Sequence, residues 1–141
     1  MRVDDPVSER VIGACIEVHR YLGPGLLESI YEECLCRELD LAGMEFLRQV
    51  VVPVEYKGLH IDVGYRLDLV VQSKLVVELK TVSEIAPIHL AQLLTYLKLT
   101  NLPTGLLINF NVPILRYGIR RITTPSIDRP LKSSSLLPSS P

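Results

Sequence analysis

Gly64-Tyr65-Arg66-Leu67-Asp68-Leu69-Val70-Val71-Gln72-Ser73-Lys74-Leu75-Val76-Val77-Glu78-Leu79-Lys80 is the stretch that decides the fold. Two apolar runs flank the polar step 72–74, which leaves room only for an antiparallel reversal. Period two sends Leu67 and Leu69 to one face of the first run and Asp68 to the other. In the second run Glu78 and Lys80 share a face, opposite Val77 and Leu79. If the runs pair through the short turn, the register sets Asp68 and Glu78 close together. Two carboxylates at that separation repel unless a proton or a cation lies between them, and hard oxygen ligands suit Mg²⁺ or Mn²⁺. Lys80 beside such a pair can position an attacking water or stabilise charge developing on a phosphate. These are the parts that phosphodiester hydrolysis needs. The same pattern also fits a solvated sheet face with an Asp–Lys–Glu salt-bridge set, and an acidic-x-Lys triplet arises by chance about once in a chain this size. Its weight comes from lying inside an apolar strand, directly after a second strand with an isolated Asp.

Working outward, Ile61, Val63, Tyr65, Leu67, Leu69 and Val71 alternate strictly, so 61–71 reads as a strand with one apolar face. Lys57-Gly58 is a turn before it. Val50, Val51, Val52 and Val54 read as the preceding strand, in which Pro53 predicts an edge position or a bulge. Leu27, Ile30, Tyr31, Cys34, Leu35 and Leu39 form one stripe of a helix over 26–42, with Gly43 as its stop. Gly23-Pro24-Gly25 separates it from a first helix over 7–20. Downstream, 88–99 is helical through Leu90, Leu93, Leu94 and Leu97; 105–110 is a buried strand, and 115–122 a last strand. The order is α-α-β-β-β-α-β-β: an α/β chain of the α+β kind, with helices packed on a mixed sheet. Residues 1–122 form one domain, and 123–141, rich in Pro and Ser, read as a flexible tail.

Composition bounds the function. A length of 141 residues favours one domain, and 48% hydrophobic with 22% charged residues is an ordinary globular balance. A net charge of −1 excludes nucleic-acid binding by bulk positive charge but not by a local strip. The charge is unevenly placed: residues 111–141 carry five basic side chains against Asp128, whereas 1–110 carry 10 against 15 acidic ones. The longest stretch without a charged residue, 99–115, is interrupted by Pro103, Gly105 and Pro113 and is no membrane span. The N-terminus is acidic where a signal peptide is basic then apolar. With three cysteines (Cys15, Cys34, Cys36) on helical segments, this predicts reduced thiols in a cytoplasmic protein.

Gly25-Leu26-Leu27-Glu28-Ser29-Ile30-Tyr31 spells G-x-x-E-x-x-Y. It follows Glu17-Val18-His19 and Leu22-Gly23-Pro24, and precedes Tyr65-Arg66-Leu67-Asp68, Glu78-Leu79-Lys80, Gln92-Leu93-Leu94-Thr95-Tyr96 and Gly105-Leu106-Leu107-Ile108-Asn109-Phe110. This ordered set, over residues 7–122, resembles the bacterial GxxExxY family within the PD-(D/E)XK nuclease-like superfamily. The resemblance implies a restriction-endonuclease-like α-β-β-β-α-β core with an extra N-terminal helix. It implies that Asp68 and Glu78 bind a metal, with the Leu79 carbonyl as a third ligand, and that Lys80 is the catalytic lysine. Glu28 would match the acidic residue that joins the metal shell directly or through water, and Gln92 the polar residue that faces the site. Leu67 departs from the Pro of the superfamily name, while the carboxylate after it is kept.

Other residues carry two readings. Glu28 in the first turn of its helix also suits the helix dipole. Tyr31 reads as core packing and His19 as a structural histidine. Gln92 and Tyr96 share a helix face, where a Gln is costly unless bonded. Arg66 shares a face with Asp68, to pair with it or to touch a phosphate. Arg116, Arg120 and Arg121 are either solvated strand charge or a strip that contacts a nucleic-acid backbone. The cysteines and histidines lack zinc spacing, and no phosphate-cradling glycine loop is present. The expectation is a Mg²⁺- or Mn²⁺-dependent nuclease acting on DNA first and RNA second, with a homodimer as one way to address both strands. Its alternatives are a non-catalytic nucleic-acid- or protein-binding module of the same fold, and an interaction protein whose acidic groups are surface charge.

Overall fold

The first helix, α1 (Pro6–Leu22), starts where Pro6 follows Asp5, whose carboxylate accepts the Ser8 N–H at 3.2 Å. It ends at Gly23, whose φ of 69° admits glycine readily and whose N–H donates to the His19 carbonyl at 2.7 Å. The second helix, α2 (Glu28–Leu41), has no side-chain cap of its own. Tyr31 supplies the joint instead: its hydroxyl donates to the Gly23 carbonyl at 2.6 Å and accepts the Leu26 N–H at 3.1 Å. The ring is fully buried and stacked on Phe110 at 4.4 Å. The G-x-x-E-x-x-Y spacing thus fastens the helix pair to the sheet and leaves Glu28 on the first turn of α2.

A computed structural model describes residues 5–124 and 137–138. The remaining elements are β1 (Phe46–Tyr56), β2 (Leu59–Val71), β3 (Leu75–Lys80), α3 (Pro87–Thr100), β4 (Thr104–Asn109), β5 (Ile119–Thr123) and β6 (Leu137–Pro138). They form a six-stranded sheet in the order β5-β4-β3-β2-β1-β6. Only β3 and β4 run parallel, because α3 carries the chain across between them. Lys57-Gly58 and Gln72-Ser73 all take positive φ, the geometry of tight hairpin turns, and Pro53 lies at a register irregularity between Val52 and Val54. The last strand begins later than its sequence suggests: 115–118 is a 3-10 turn and only Ile119–Thr123 is extended. Gly118 explains the tight bend, since a Cβ there would stand 2.2 Å from the Asn109 carbonyl oxygen. Most of the tail read as flexible lies outside the described residues. Leu137–Pro138 pair with Val50 and Val51 of β1.

Two apolar cores sandwich the sheet. Leu69, Val71, Val77, Leu79 and Ile108 pack with α1 and α2, while Val70, Val76 and Leu107 pack with Leu93 and Leu97 of α3. The strict one-faced alternation expected of β2 fails at one point. Leu69 and Val71 belong to the α1–α2 core, but Leu67 belongs to the α3 core together with Val50 and Val52. Phe46 of β1 packs on the α1–α2 side, so β1 exchanges faces at the same level. The exchange coincides with Gln49, at φ 51° in mid-strand, and with Asp68 opposite it. All three cysteines are free. Among the described residues no helix is long and apolar enough to cross a membrane.

Candidate functional site

The ladder between β2 and β3 runs through Val71–Leu75, Val70–Val76 and Leu69–Val77 and then stops. One more step would pair Asp68 with Glu78. There the strands exchange side chains for backbone: the Asp68 N–H donates to Glu78 Oε1 at 2.9 Å, and the Leu79 N–H donates to Asp68 Oδ2 at 2.8 Å. On its other side β3 stays paired with β4 as far as Lys80 and Asn109, so β2 is the strand that parts. The N–H groups of Asp68 and Leu79 are thus each met by the carboxylate of the opposite strand. A residue's N–H and C=O lie on one edge of a strand. The Leu79 carbonyl therefore lies on the edge that opens toward β2. Buried Asn109 steadies the exit of β3 by clasping Val82, accepting its N–H at 3.1 Å and donating to its carbonyl at 2.9 Å.

Electrostatics at the gap are those of crowded carboxylates. Burial pushes the Glu78 pKa up and the Asp68 charge adds to the shift, against the Asp68 N–H and Lys80. Asp68 is likewise raised, by burial first, with the Leu79 N–H, Lys80 and Gln49 favouring its charged form. Glu28, at the start of α2, is raised by burial, by Asp68 and by Glu32, and is opposed by Lys80. Lys80 is thus the cation within the field of all three. Tyr96 of α3 shares that field: burial, Glu78, Tyr65 and Asp68 all raise its hydroxyl, and its ring lies 5.4 Å from that of Tyr65.

Asp68, Glu78, Lys80, Glu28 and the Leu79 backbone are therefore brought to one region. Gln92 is half-buried on α3, one turn before Tyr96, and its side chain makes no hydrogen bond among the described residues. Arg66 is exposed and forms no ion pair with Asp68 among the described residues. Arg116, Arg120 and Arg121 stand on the β5 side of the sheet. Arg116 lies over the Tyr117 ring at 4.9 Å, in the 3-10 turn rather than in a strand. Arg120 bonds to the carbonyls of Tyr117 and Ile119. Arg121 pairs with Asp5 at 2.7 Å and so serves the start of α1. Two strand spacings, ~10 Å, separate β5 from β3.

Three residues at the site escape a reading by sequence spacing around the carboxylate pair. Glu32 follows Glu28 by one helical turn, on the same side of α2, which is the signal that could have found it. It is buried, accepts Arg48 at 2.9 Å and accepts the Gln49 amide at 3.0 Å. Gln49 carries no such signal, and Tyr96 is marked only by sharing a face with Gln92.

Among the described residues no three Asp, Glu, His or Cys side chains form a ready-made metal cage. The donor set at the gap nonetheless has the chemistry of a hard divalent cation: buried Glu78 and half-buried Asp68, both raised by burial and Glu78 further by repulsion from Asp68, each with one oxygen held by a backbone N–H. A cation between them relieves that repulsion.

The sequence profile described as the PD-(D/E)XK nuclease superfamily matches residues 5–122. No curated protein matches the sequence. Among solved structures, the crystal structure of SSO0001 is similar at 20% identity, over 88% of this chain and 71% of that one, with a TM-score of 0.44. The profile match runs from the cap of α1 into β5 and takes in the parted strands, their carboxylates and Lys80. The chain belongs to the PD-(D/E)XK nuclease superfamily.

Proposed function

We propose that the protein is a metal-dependent nuclease of the GxxExxY type that hydrolyses phosphodiester bonds, with DNA the favoured substrate. The observation that carries this reading is the parting of β2 from β3 at Asp68 and Glu78, which brings the two carboxylates together within the field of Lys80. Asp68 and Glu78 would hold Mg²⁺ or Mn²⁺ with the Leu79 carbonyl, and Glu28 would join them directly or through water. A cation so held supplies charge neutralisation at a scissile phosphate and a more acidic water. Lys80 orients that water and offsets charge developing on the phosphate. The backbone bonds to Asp68 and Glu78 fix both carboxylates before substrate arrives. Gln92 faces the substrate from α3, and Arg66, Arg116 and Arg120 contact flanking phosphates.

Incubation with single- and double-stranded DNA and RNA, in Mg²⁺ or Mn²⁺, tests this. Wild type cleaves, and Glu78→Ala and Lys80→Met each lose roughly 10²–10³-fold. Equal cleavage by wild type and Glu78→Ala would assign the activity to a contaminant or to another site. A second reading, a non-catalytic nucleic-acid- or protein-binding module of the same fold, has one observation in its favour: each carboxylate already caps a backbone N–H. That reading predicts no cleavage under any of these conditions and no cation dependence of folding.

A further inference from the structure

The left-handed residue in the middle of β1 is not a glycine, an asparagine or an aspartate but Gln49, at φ 51°. Side chains with a Cβ enter that region at a cost, and such strain persists in a strand interior only where the surroundings over-determine it. Here they do. The Gln49 amide donates to Glu32 Oε1 at 3.0 Å. Glu32, 8% exposed, receives Arg48 Nε at 3.2 Å and Nη2 at 2.9 Å on its other oxygen. Arg48 also reaches Glu33 at 3.0 Å. Two consecutive residues of β1 are thereby clasped to one turn of α2. The pairs Arg48–Leu69 and Val50–Leu67 set Gln49 opposite Asp68, where its amide, bonded to Glu32, favours the charged form of the Asp68 carboxylate. At this level β1 and β2 exchange faces, and one residue beyond it the β2–β3 ladder stops.

We propose that Gln49 is a positioning residue for the carboxylate pair: its left-handed backbone turns β1 and β2 over at Asp68, and its amide, anchored by Glu32 and Arg48, fixes Asp68 toward β3. The inference rests on the cation-binding reading of Asp68 and Glu78. It assigns a task to a polar network that touches no substrate. A backbone kink alone would be served by glycine, which takes positive φ freely; the amide is what glycine lacks.

Calorimetric titration of the full-length protein with Mn²⁺ separates the two contributions. In Gln49→Gly the kink is retained without strain, which offsets the hydrogen bond lost to Glu32, so the thermal midpoint of the metal-free protein changes little. The Mn²⁺ Kd weakens by roughly 10–100-fold, the size expected when support of a ligating carboxylate is lost. Gln49→Met, which keeps the length and loses the amide, weakens Mn²⁺ to a similar degree. In cleavage assays the Mn²⁺ concentration for half-maximal rate rises in step, and saturating Mn²⁺ recovers the rate. Wild-type Mn²⁺ affinity in Gln49→Gly, alongside its loss in Glu78→Ala, would overturn the positioning role and leave the cation site standing. Unchanged affinity in Glu78→Ala would overturn the cation site and this inference together.

Discussion

Glu78 is the residue on which the energetics of the site turn, because it is buried with a second carboxylate opposite and one cation nearby. Its folded-state pKa is pushed up to about 8 from the ordinary 4.5, by burial first and by the Asp68 charge second. Between those two values the native state holds more protons than the unfolded state, so stability falls as pH rises through that window. Metal-free protein is therefore expected to melt at a higher temperature at pH 5 than at pH 8. Glu78→Gln keeps an oxygen for the Asp68 N–H and removes the buried charge. It should raise the metal-free midpoint at pH 8, by on the order of 5–10 °C for ~2 kcal/mol, and flatten the pH dependence. Thermal melts in chelator at the two pH values check this; a Glu78→Gln midpoint at or below wild type at pH 8 would contradict it. Proximity of Asp68, Glu78 and Lys80 was legible in the sequence, since period two and a short turn suffice to predict the register. The capping of each strand's N–H by the other's carboxylate was not, because nothing in the residues announces that the ladder stops one pair early. Arg121 likewise gives no sign in its own strand that Asp5 will claim it.

At the scale of elements, α3 sits against the sheet through Leu93, which approaches Gly105 of β4 so closely that a Cβ would stand 2.7 Å from its Cδ1. Gly105→Val forces Leu93 away and displaces the helix that carries Gln92 and Tyr96. We expect ~1–3 kcal/mol of destabilisation by overpacking, read in urea melts, with cleavage reduced further than stability alone explains. The α1–α2 joint makes a separable prediction. Tyr31→Phe keeps the stack on Phe110 but leaves the Gly23 carbonyl and the Leu26 N–H without the hydroxyl. It should cost ~1–3 kcal/mol while sparing Mn²⁺ affinity, and weakened Mn²⁺ binding would show that the joint also sets Glu28. Helices and strands were legible wherever the apolar period is unbroken: α2, β3, α3 and β4 fall within two residues of their sequence reading. The single apolar face expected of β2 was misread because alternation assumes extended backbone in the neighbouring strand, and Gln49 breaks that assumption from β1.

For the whole molecule, the net charge of −1 gathers into a meaning once the acidic groups are placed. Glu28, Glu32, Asp68 and Glu78 converge where β2 parts from β3, so the metal-free protein should repel a phosphate backbone there. Binding of an oligonucleotide by the cleavage-deficient Lys80→Met protein is expected to require a divalent cation. Arg116→Ala and Arg120→Ala should each lower the slope of log affinity against log salt by about 1 if they meet phosphates. Unchanged slopes would return these arginines to solvated surface charge, the alternative their bonds to Tyr117 and to backbone carbonyls support. On the proposed function, Asp68 and Glu78 together hold the cation. Anomalous scattering from a crystal equilibrated with Mn²⁺ tests it most directly. One strong peak is expected in the gap between β2 and β3, bonded to oxygens of both Asp68 and Glu78. Saturating Mn²⁺ with no peak there, and both carboxylates still closed on the backbone N–H groups of Asp68 and Leu79, would contradict it.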